Sequence, residues 1–414
     1  MILAANADWR IAQLRHCRYY EKVLRNANRL FEQGGAALQA GLNIYDAELA
    51  NIESAQGWAA AQSATDAEAA RLCSELPDAG NYFFDLRQHP RERVRWREAA
   101  LAAARALGNR AAEAVHLSNL GIAHEALGAP ERASEYYAER LVFARKMGDR
   151  HGEGIALNQL GGVLAALGHP RKAIDLCEQS LDIALEVGDR RDEGIALGSL
   201  GIAYASLNEL PRAIELYELR LQIAREVNDR RGEAIVSGNL GNAYYESKEL
   251  QRARESYERA LSVYRELGDQ RGEAIALGNL GNVLSDLNEI AAARTLYEEA
   301  LAISQSIGDR RSEGGFLGNL GLIYAAMGDD RKAIECFDHR IEFARETGHR
   351  RGEGFAQFNK SLALHRLGET ATARDLAESA LSILEQIEAP YSKVVRERLD
   401  EWQIAQNQKM TLHR

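Results

Sequence analysis

A tripeptide, Gly-Asp-Arg or a near variant of it, returns along this chain every forty residues. It begins at Gly108 (as Gly-Asn-Arg), Gly148, Gly188, Asn228 (as Asn-Asp-Arg), Gly268 (as Gly-Asp-Gln), Gly308 and Gly348 (as Gly-His-Arg). A second marker keeps step with it: Leu120-Gly121, Leu160-Gly161, Leu200-Gly201, Leu240-Gly241, Leu280-Gly281 and Leu320-Gly321. A fixed period of about 20–50 residues marks a stacked array, because no single unit of that size buries its apolar face alone. The first functional expectation follows: an extended surface that holds another molecule, rather than a pocket that turns one over.

At 414 residues the chain is too long for one hydrophobic core, which stops growing at about 250–300 residues. An array escapes that limit because each unit touches only its neighbours. Six prolines among abundant alanine, leucine, glutamate and arginine favour an almost wholly helical chain. A net charge of −10 gives no electrostatic footing for nucleic acid. The four cysteines, Cys17, Cys73, Cys177 and Cys336, are scattered without a CxxC pair, as free thiols in a reducing compartment are. Cys177 and Cys336 fall at repeat positions held elsewhere by tyrosine and are expected as core filler. No apolar run reaches the roughly 18–20 residues that span a membrane. The opening MILAANADWR lacks a basic segment ahead of a hydrophobic one, so the chain reads as cytoplasmic.

Residues 189–228 show how one unit builds itself. Asp189 is an N-cap whose carboxylate can accept from the free amides of the first turn. Helix A runs through EGIALGSLGIAYASL with apolar residues at three and four, and Asn208 stops it. Pro211 suits the first turn of helix B, RAIELYELRLQIAREV. Asn228, or glycine in most other copies, tolerates the left-handed cap that ends it. Each unit is therefore a helical hairpin.

Leu197, Leu200-Gly201 and Tyr204 on helix A, with Ala213 and Tyr217 on helix B, resemble the signature of the tetratricopeptide repeat. Leu240-Gly241, Tyr244, Ala253 and Tyr257 repeat it, as do Leu320-Gly321, Tyr324, Ala333 and Phe337. Glycine and alanine there let two helices approach closely. The leading tryptophan of the family is leucine in most copies, and the terminal proline is missing because helix B is longer. The strings GDRRDEGIALGSLGIAY and NDRRGEAIVSGNLGNAYYE are similar to the forty-residue repeats of the Pins/LGN group of spindle-orientation adaptors. The resemblance implies an all-α, right-handed superhelical solenoid of about eight helix-turn-helix repeats. Seven occupy 111–390, preceded by a degenerate copy at 71–110 with Pro90 in its loop, and followed at 391–414 by a capping helix and frayed tail.

Residues 1–70 lie outside the period and read as two or more helices. Their pattern of Tyr19-Tyr20, Glu48, Asn51-Ile52 and Trp58 resembles the segment before the repeats in bacterial NB-ARC signalling ATPases. The phosphate loop GxxxxGK[ST] of such ATPases is absent, so the resemblance implies a sensor module without its motor. The alternative is a plain helical cap on the array.

His116, His124, His151, His169, His339, His349 and His365 fall at unrelated repeat positions and form no HExxH or Cys/His cluster, so no metal site or cofactor is expected. Glycine-rich strings such as GGFLGNLG recur inside helix A rather than between a strand and a helix, and no GxSxG elbow occurs. No enzyme is expected.

Two sets of polar residues could serve binding. Arg190, Arg230, Arg310 and Arg350 open helix A and stand three residues before Glu193, Glu233, Glu313 and Glu353. They form solvated ion pairs, or Arg190, Arg230 and Arg310 form a ladder for an acidic ligand. The second set lies opposite the packing residues Leu240, Gly241 and Tyr244, where helical spacing places Ile235, Gly238, Asn239, Asn242, Tyr245 and Glu246. In tetratricopeptide arrays helix A lines the concave surface, so this stripe is the expected groove. Ile275, Gly278, Asn279, Asn282, Ser285 and Asp286 continue it, then Gly318, Asn319 and Leu322. Asparagine offers a donor and an acceptor to the main chain of an extended peptide, unless it bonds to neighbouring helices instead. The sequence thus points to a non-enzymatic scaffold that captures a peptide or protein segment, with no nucleic acid and no membrane as partner. Its rivals are a ligand sensor of an NB-ARC-type switch and an array that stacks on itself.

Overall fold

The computed structural model describes residues 2–32, 35–81, 83–84, 88 and 90–412, and every element among them is an α-helix. The chain falls into two units, Met1–Asn239 and Leu240–Arg414.

The first unit opens with two long helices, Ile2–Glu32 and Gly35–Gln62, packed against one another and against the shorter Ala67–Ala79. Their shared core holds Leu24, Tyr45, Ile52, Leu72 and Phe83, with Tyr45 stacked on Phe83 at 5.1 Å. The motif residues of this segment meet: Tyr20 Oη donates to Glu48 Oε2 at 3.1 Å, and Asn51 Nδ2 donates to the same oxygen at 2.8 Å. Helix Ala67–Ala79 starts four residues ahead of the expected 71 because Asp66 caps it, accepting from the amides of Glu68 and Ala69. Pro90 opens the next helix, Pro90–Ala106, rather than sitting in the loop before it, as the missing N–H of a first-turn proline allows.

From Arg110 the hairpins take over. Within the first unit they are Arg110–Ala126 with Pro130–Met147, Arg150–Ala166 with Pro170–Val187, and Arg190–Ser206 with Leu210–Glu226. Along this series each helix packs against the next, from Arg110–Ala126 through to Leu210–Glu226. The boundary between the units falls inside helix Arg230–Glu246.

The second unit repeats the plan with helices Leu250–Leu267, Gln270–Asp286, Ile290–Ser306, Arg310–Ala326, Asp330–Glu346, Arg350–Arg366 and Thr370–Gln386. Helix Ser392–Leu412 closes it by setting Val395 and Leu399 in one core with Phe358 and Leu384. It continues through most of the stretch read as a tail; the last two residues and the side chains from 406 onward lie outside the described residues.

The punctuation works as sequence predicts. Asp149, Asp189, Asp229, Asp269 and Asp309 each accept from amides two or three residues on, and His349 Nδ1 accepts from Gly352 N at 3.0 Å. Gly148, Gly188 and Gly268 end B helices in the left-handed region, and Asn228 does so at φ 54°.

Candidate peptide-binding face

The repeated Leu-Gly places a helix A glycine directly under a large side chain of helix B. A Cβ added to Gly241 would lie 2.5 Å from Tyr257 Cε1, and the rings of Tyr137, Tyr217, Tyr297 and Phe337 cover Gly121, Gly201, Gly281 and Gly321 in the same way. Cys177 fills this place over Gly161, at 2.6 Å from such a Cβ. That contact fixes which side of helix A is packed and leaves the other side open.

The open side carries a periodic row. In the first unit Val115, Ile122, Ile202 and Ile235 keep between 41% and 46% of their surface exposed. Gly238 faces open space there, beside a half-buried Asn239. In the second unit Ile275 and Leu322 are exposed to 45% and 48%. Around them stand Asn242, Tyr245, Asn279, Asn282, Asp286 and Asn319, none of them fully buried. Val115, Ile235 and Ile275 share one repeat position and Ile122, Ile202 and Leu322 another; large apolar groups held in water at recurring positions are the feature that a binding face needs.

The asparagines divide. Asn242 Oδ1 accepts from Tyr257 Oη at 2.6 Å and Asn282 Oδ1 from Tyr297 Oη at 2.5 Å, so both tie helix A to helix B. Asn282 Oδ1 also accepts from Asn319 Nδ2 at 3.2 Å, linking neighbouring repeats. The side chains of Asn239 and Asn279 make no hydrogen bond among the described residues and keep both functions for solvent or ligand. Tyr245 Oη donates to Asp286 Oδ2 at 2.7 Å, and burial together with that carboxylate pushes the phenol up to about 12. Gly278 stands apart from the face: it is buried, and the ring of Phe316 on the next helix A occupies the place of its missing Cβ.

A model of the tetratricopeptide repeat matches residues 152–226, 232–306 and 315–386. The chain belongs to the tetratricopeptide-repeat family. No curated protein matches it. Among solved structures, a Signal Transduction ATPase with Numerous Domains from Pyrococcus horikoshii, which carries a tetratricopeptide repeat sensor, is 16% identical with a TM-score of 0.62. That likeness covers 91% of this chain but only 55% of the ATPase, so the chain spans about half of that protein. The apo quorum sensor NprR from B. thuringiensis is 13% identical, TM-score 0.57, over 89% of this chain and 97% of its own. A Rap protein complexed with competence and sporulation factor is 12% identical, TM-score 0.54, over 94% and 99%. These likenesses show the fold.

The arginines that open helix A in these tetratricopeptide repeats are engaged twice over. Arg190 reaches Glu193 at 2.6 Å and Glu226 at 2.5 Å, and Arg310 reaches Glu313 at 2.8 Å and Glu346 at 3.2 Å. Arg230 pairs with Glu233. The glutamate also takes a cation from the preceding helix B: Arg145 on Glu153, Arg225 on Glu233 and Arg345 on Glu353, and Arg265 on Glu273, where Gln270 opens helix A. These bonds hold the Glu153 carboxyl below its usual range, Arg145 contributing most. The result is an ionic seam between successive hairpins. One further cluster carries no sequence motif, because its residues lie on two different repeats: His151, Asp189 and Asp192 come together at a repeat junction.

Proposed function

We propose that this chain is a non-enzymatic, cytoplasmic scaffold whose concave A-helix face captures an extended peptide or protein segment. Its forty-residue repeat is of the long kind found in the Pins/LGN adaptors. The observation that carries the reading is the row of exposed isoleucines and leucine with interleaved asparagines, each at a fixed repeat position on helix A. Ile275 and Leu322 would take apolar side chains of the ligand, while Asn279 and the free amide of Asn242 would bond its main chain. Ile235, Gly238 and Asn239 carry the same pattern at the end of the first unit. The Rap protein, solved with competence and sporulation factor, and the quorum sensor NprR carry this fold in proteins that meet signalling molecules.

The test uses a phage-displayed library of random peptides selected on the intact chain. Enriched peptides should lose binding to an Ile275→Asp, Asn279→Ala variant whose thermal midpoint stays within a few degrees of the parent. Peptides that bind the variant as well as the parent would place recognition elsewhere.

A second reading rests on the N-terminal helices and on the signalling ATPase that shares this fold: the repeats would be a ligand sensor for a nucleotide-binding partner. Selected peptides that bind normally but detach the chain from such a partner would favour it. Mass that rises with concentration would favour self-assembly instead.

A further inference from the structure

The repeats serve as controls for one another, and one junction departs from the rest in three places at once. In the first hairpin Arg140 extends from helix B to the next N-cap, its Nη2 lying 3.4 Å from Asp149 Oδ2. Arg220 stands at the equivalent place and donates to Gly194 O at 2.7 Å with the charge of Asp229 nearby, and Arg340 reaches the place of a Cβ on Gly352. Where Ala260 replaces the arginine, the ring of Tyr264 covers Gly272 instead, and Ala300 and Ala380 likewise bring no cation. The equivalent residue in the second hairpin is Ser180. It still donates to the repeat's carbonyl, Gly154 O, at 2.8 Å, but it brings no cation. The space is left as a cavity of about 10 Å³ lined by His151, Gly154, Ser180, Ile183 and Asp192, room for one ion or one water.

The other two departures border that cavity. Position 192, glycine or serine in the copies at 152, 232, 272, 312 and 352, is aspartate. Position 151, arginine at 191, 231, 271, 311 and 351, is histidine. Elsewhere that arginine leans on the next N-cap carboxylate, as Arg191 does on Asp229 at 3.8 Å and Arg271 on Asp309 at 3.5 Å. Compared with the junctions that carry Arg191 with Arg220 and Arg311 with Arg340, this one has a serine and an imidazole in place of two guanidinium groups, and it gains a second carboxylate. Asp189 keeps its capping role through Oδ1, which accepts from Arg191 N and Asp192 N, and turns Oδ2 toward His151. His151 Nδ1 stands 3.3 Å from Asp192 Oδ2 and 3.9 Å from Asp189 Oδ2, and all three ligand atoms lie within 4.8 Å of one another. Donors bound at about 2.0–2.2 Å in a tetrahedral zinc site stand roughly 3.3 Å apart.

We propose that His151, Asp189 and Asp192 bind a divalent transition-metal ion of the zinc class, which replaces the missing guanidinium cations and joins two neighbouring repeats. An imidazole with two carboxylates selects such a metal over calcium or magnesium. The two carboxylates outweigh the partial positive charge of the helix N-terminus beside them. The proposal is independent of the peptide-binding reading, since the site lies at the repeat junction rather than on the exposed apolar row.

The test titrates zinc chloride into the chelator-treated intact chain by calorimetry. The parent should take up one zinc at this site with a rise in thermal midpoint, while calcium and magnesium give neither. A His151→Arg, Asp192→Gly variant carries the residues of the sibling repeats, so it should fold and lose that zinc. Ser180→Arg, which writes the sibling cation back, should weaken binding roughly 10–100-fold. Should the double variant unfold, His151→Gln at an exposed position carries the same comparison. No zinc uptake by the parent, undiminished uptake by these variants, or uptake of calcium in place of zinc would each overturn the proposal.

Discussion

At the scale of single residues, two glycines three apart on one helix should behave oppositely. Tyr257 is 2% exposed and lies where the side chain of Gly241 would go, so Gly241→Leu has to displace a buried ring. Overpacking of this kind costs about 1–3 kcal/mol or more. Gly238 has open space around its missing Cβ, so Gly238→Ala should leave stability equal or raise it by up to about 1 kcal/mol through helix propensity. Urea unfolding of both variants checks this, and equal effects would mean the two faces are misassigned. His116 offers a pH test. It is wholly buried, with its Nε2 2.9 Å from Ser74 Oγ and Arg97 near its Nδ1. Burial pushes its pKa down to about 4, against the opposing charge of Asp78. The folded state thus holds fewer protons on His116 than the unfolded chain does. Its stabilising share is complete above the unfolded value of about 6.5 and is lost as pH falls toward 4, roughly 3 kcal/mol in all. The stability difference between the parent and His116→Gln should therefore shift between pH 7 and pH 4.5. A constant difference would show that His116 does not titrate as its burial requires.

At the scale of the helix, the seam between hairpins can be graded by its own natural variants. Glu353 accepts from Arg345 and Arg350, both at 2.8 Å, whereas Glu193 is held by Arg190 alone because Leu185 stands where the second arginine would be. A charge-assisted hydrogen bond is worth about 1.5–3 kcal/mol, discounted here because the arginines are half exposed. Glu353→Ala should accordingly cost more than Glu193→Ala in chemical unfolding, and equal costs would remove the seam from the account of stability. The elements themselves were legible from sequence because caps and packing residues recur in phase: Asp189, Asn208, Pro211 and Asn228 each do in the structure what their types dictate. The seam was half legible. Helical spacing shows Arg190 facing Glu193, but the partner eight residues back, as in Arg345 and Glu353, crosses a turn that periodicity does not describe. The asparagine row was legible as a face and not as a network. Nothing in the spacing of Asn242 and Asn282 tells that a tyrosine fifteen residues on will reach their carbonyls over a glycine. Gly278 was placed on the open face by phase alone, and the size of Phe316, a residue of the next repeat, decides otherwise.

At the scale of the whole molecule, the forty-residue plan governs how stability is distributed. Within each unit the hairpin helices pack on the helices adjacent in sequence, and an array built this way has a stability close to a sum of repeat and nearest-neighbour terms. A lesion should then open its own neighbourhood before the rest. Gly161→Leu is suited to the test, because its side chain would meet Cys177 Sγ at 2.6 Å and Ala173 O at 3.2 Å inside the second hairpin. The expected cost is about 1–3 kcal/mol. Amide hydrogen exchange read by mass spectrometry should show protection falling in helices Arg150–Ala166 and Pro170–Val187, and less so in Pro130–Met147 and Arg190–Ser206. The helices from Gln270–Asp286 to Thr370–Gln386 should exchange as in the parent. Local opening of this kind is what separates an array from a cooperative core, where one barrier governs every amide. A uniform loss of protection along the chain would mean that the repeats unfold as one body, and the nearest-neighbour description would fail. If the local pattern holds, zinc added to the parent should slow exchange in the second hairpin, which carries His151, and in helix Arg190–Ser206 of the third, which carries Asp192, and leave the helices from Gln270–Asp286 onward unchanged.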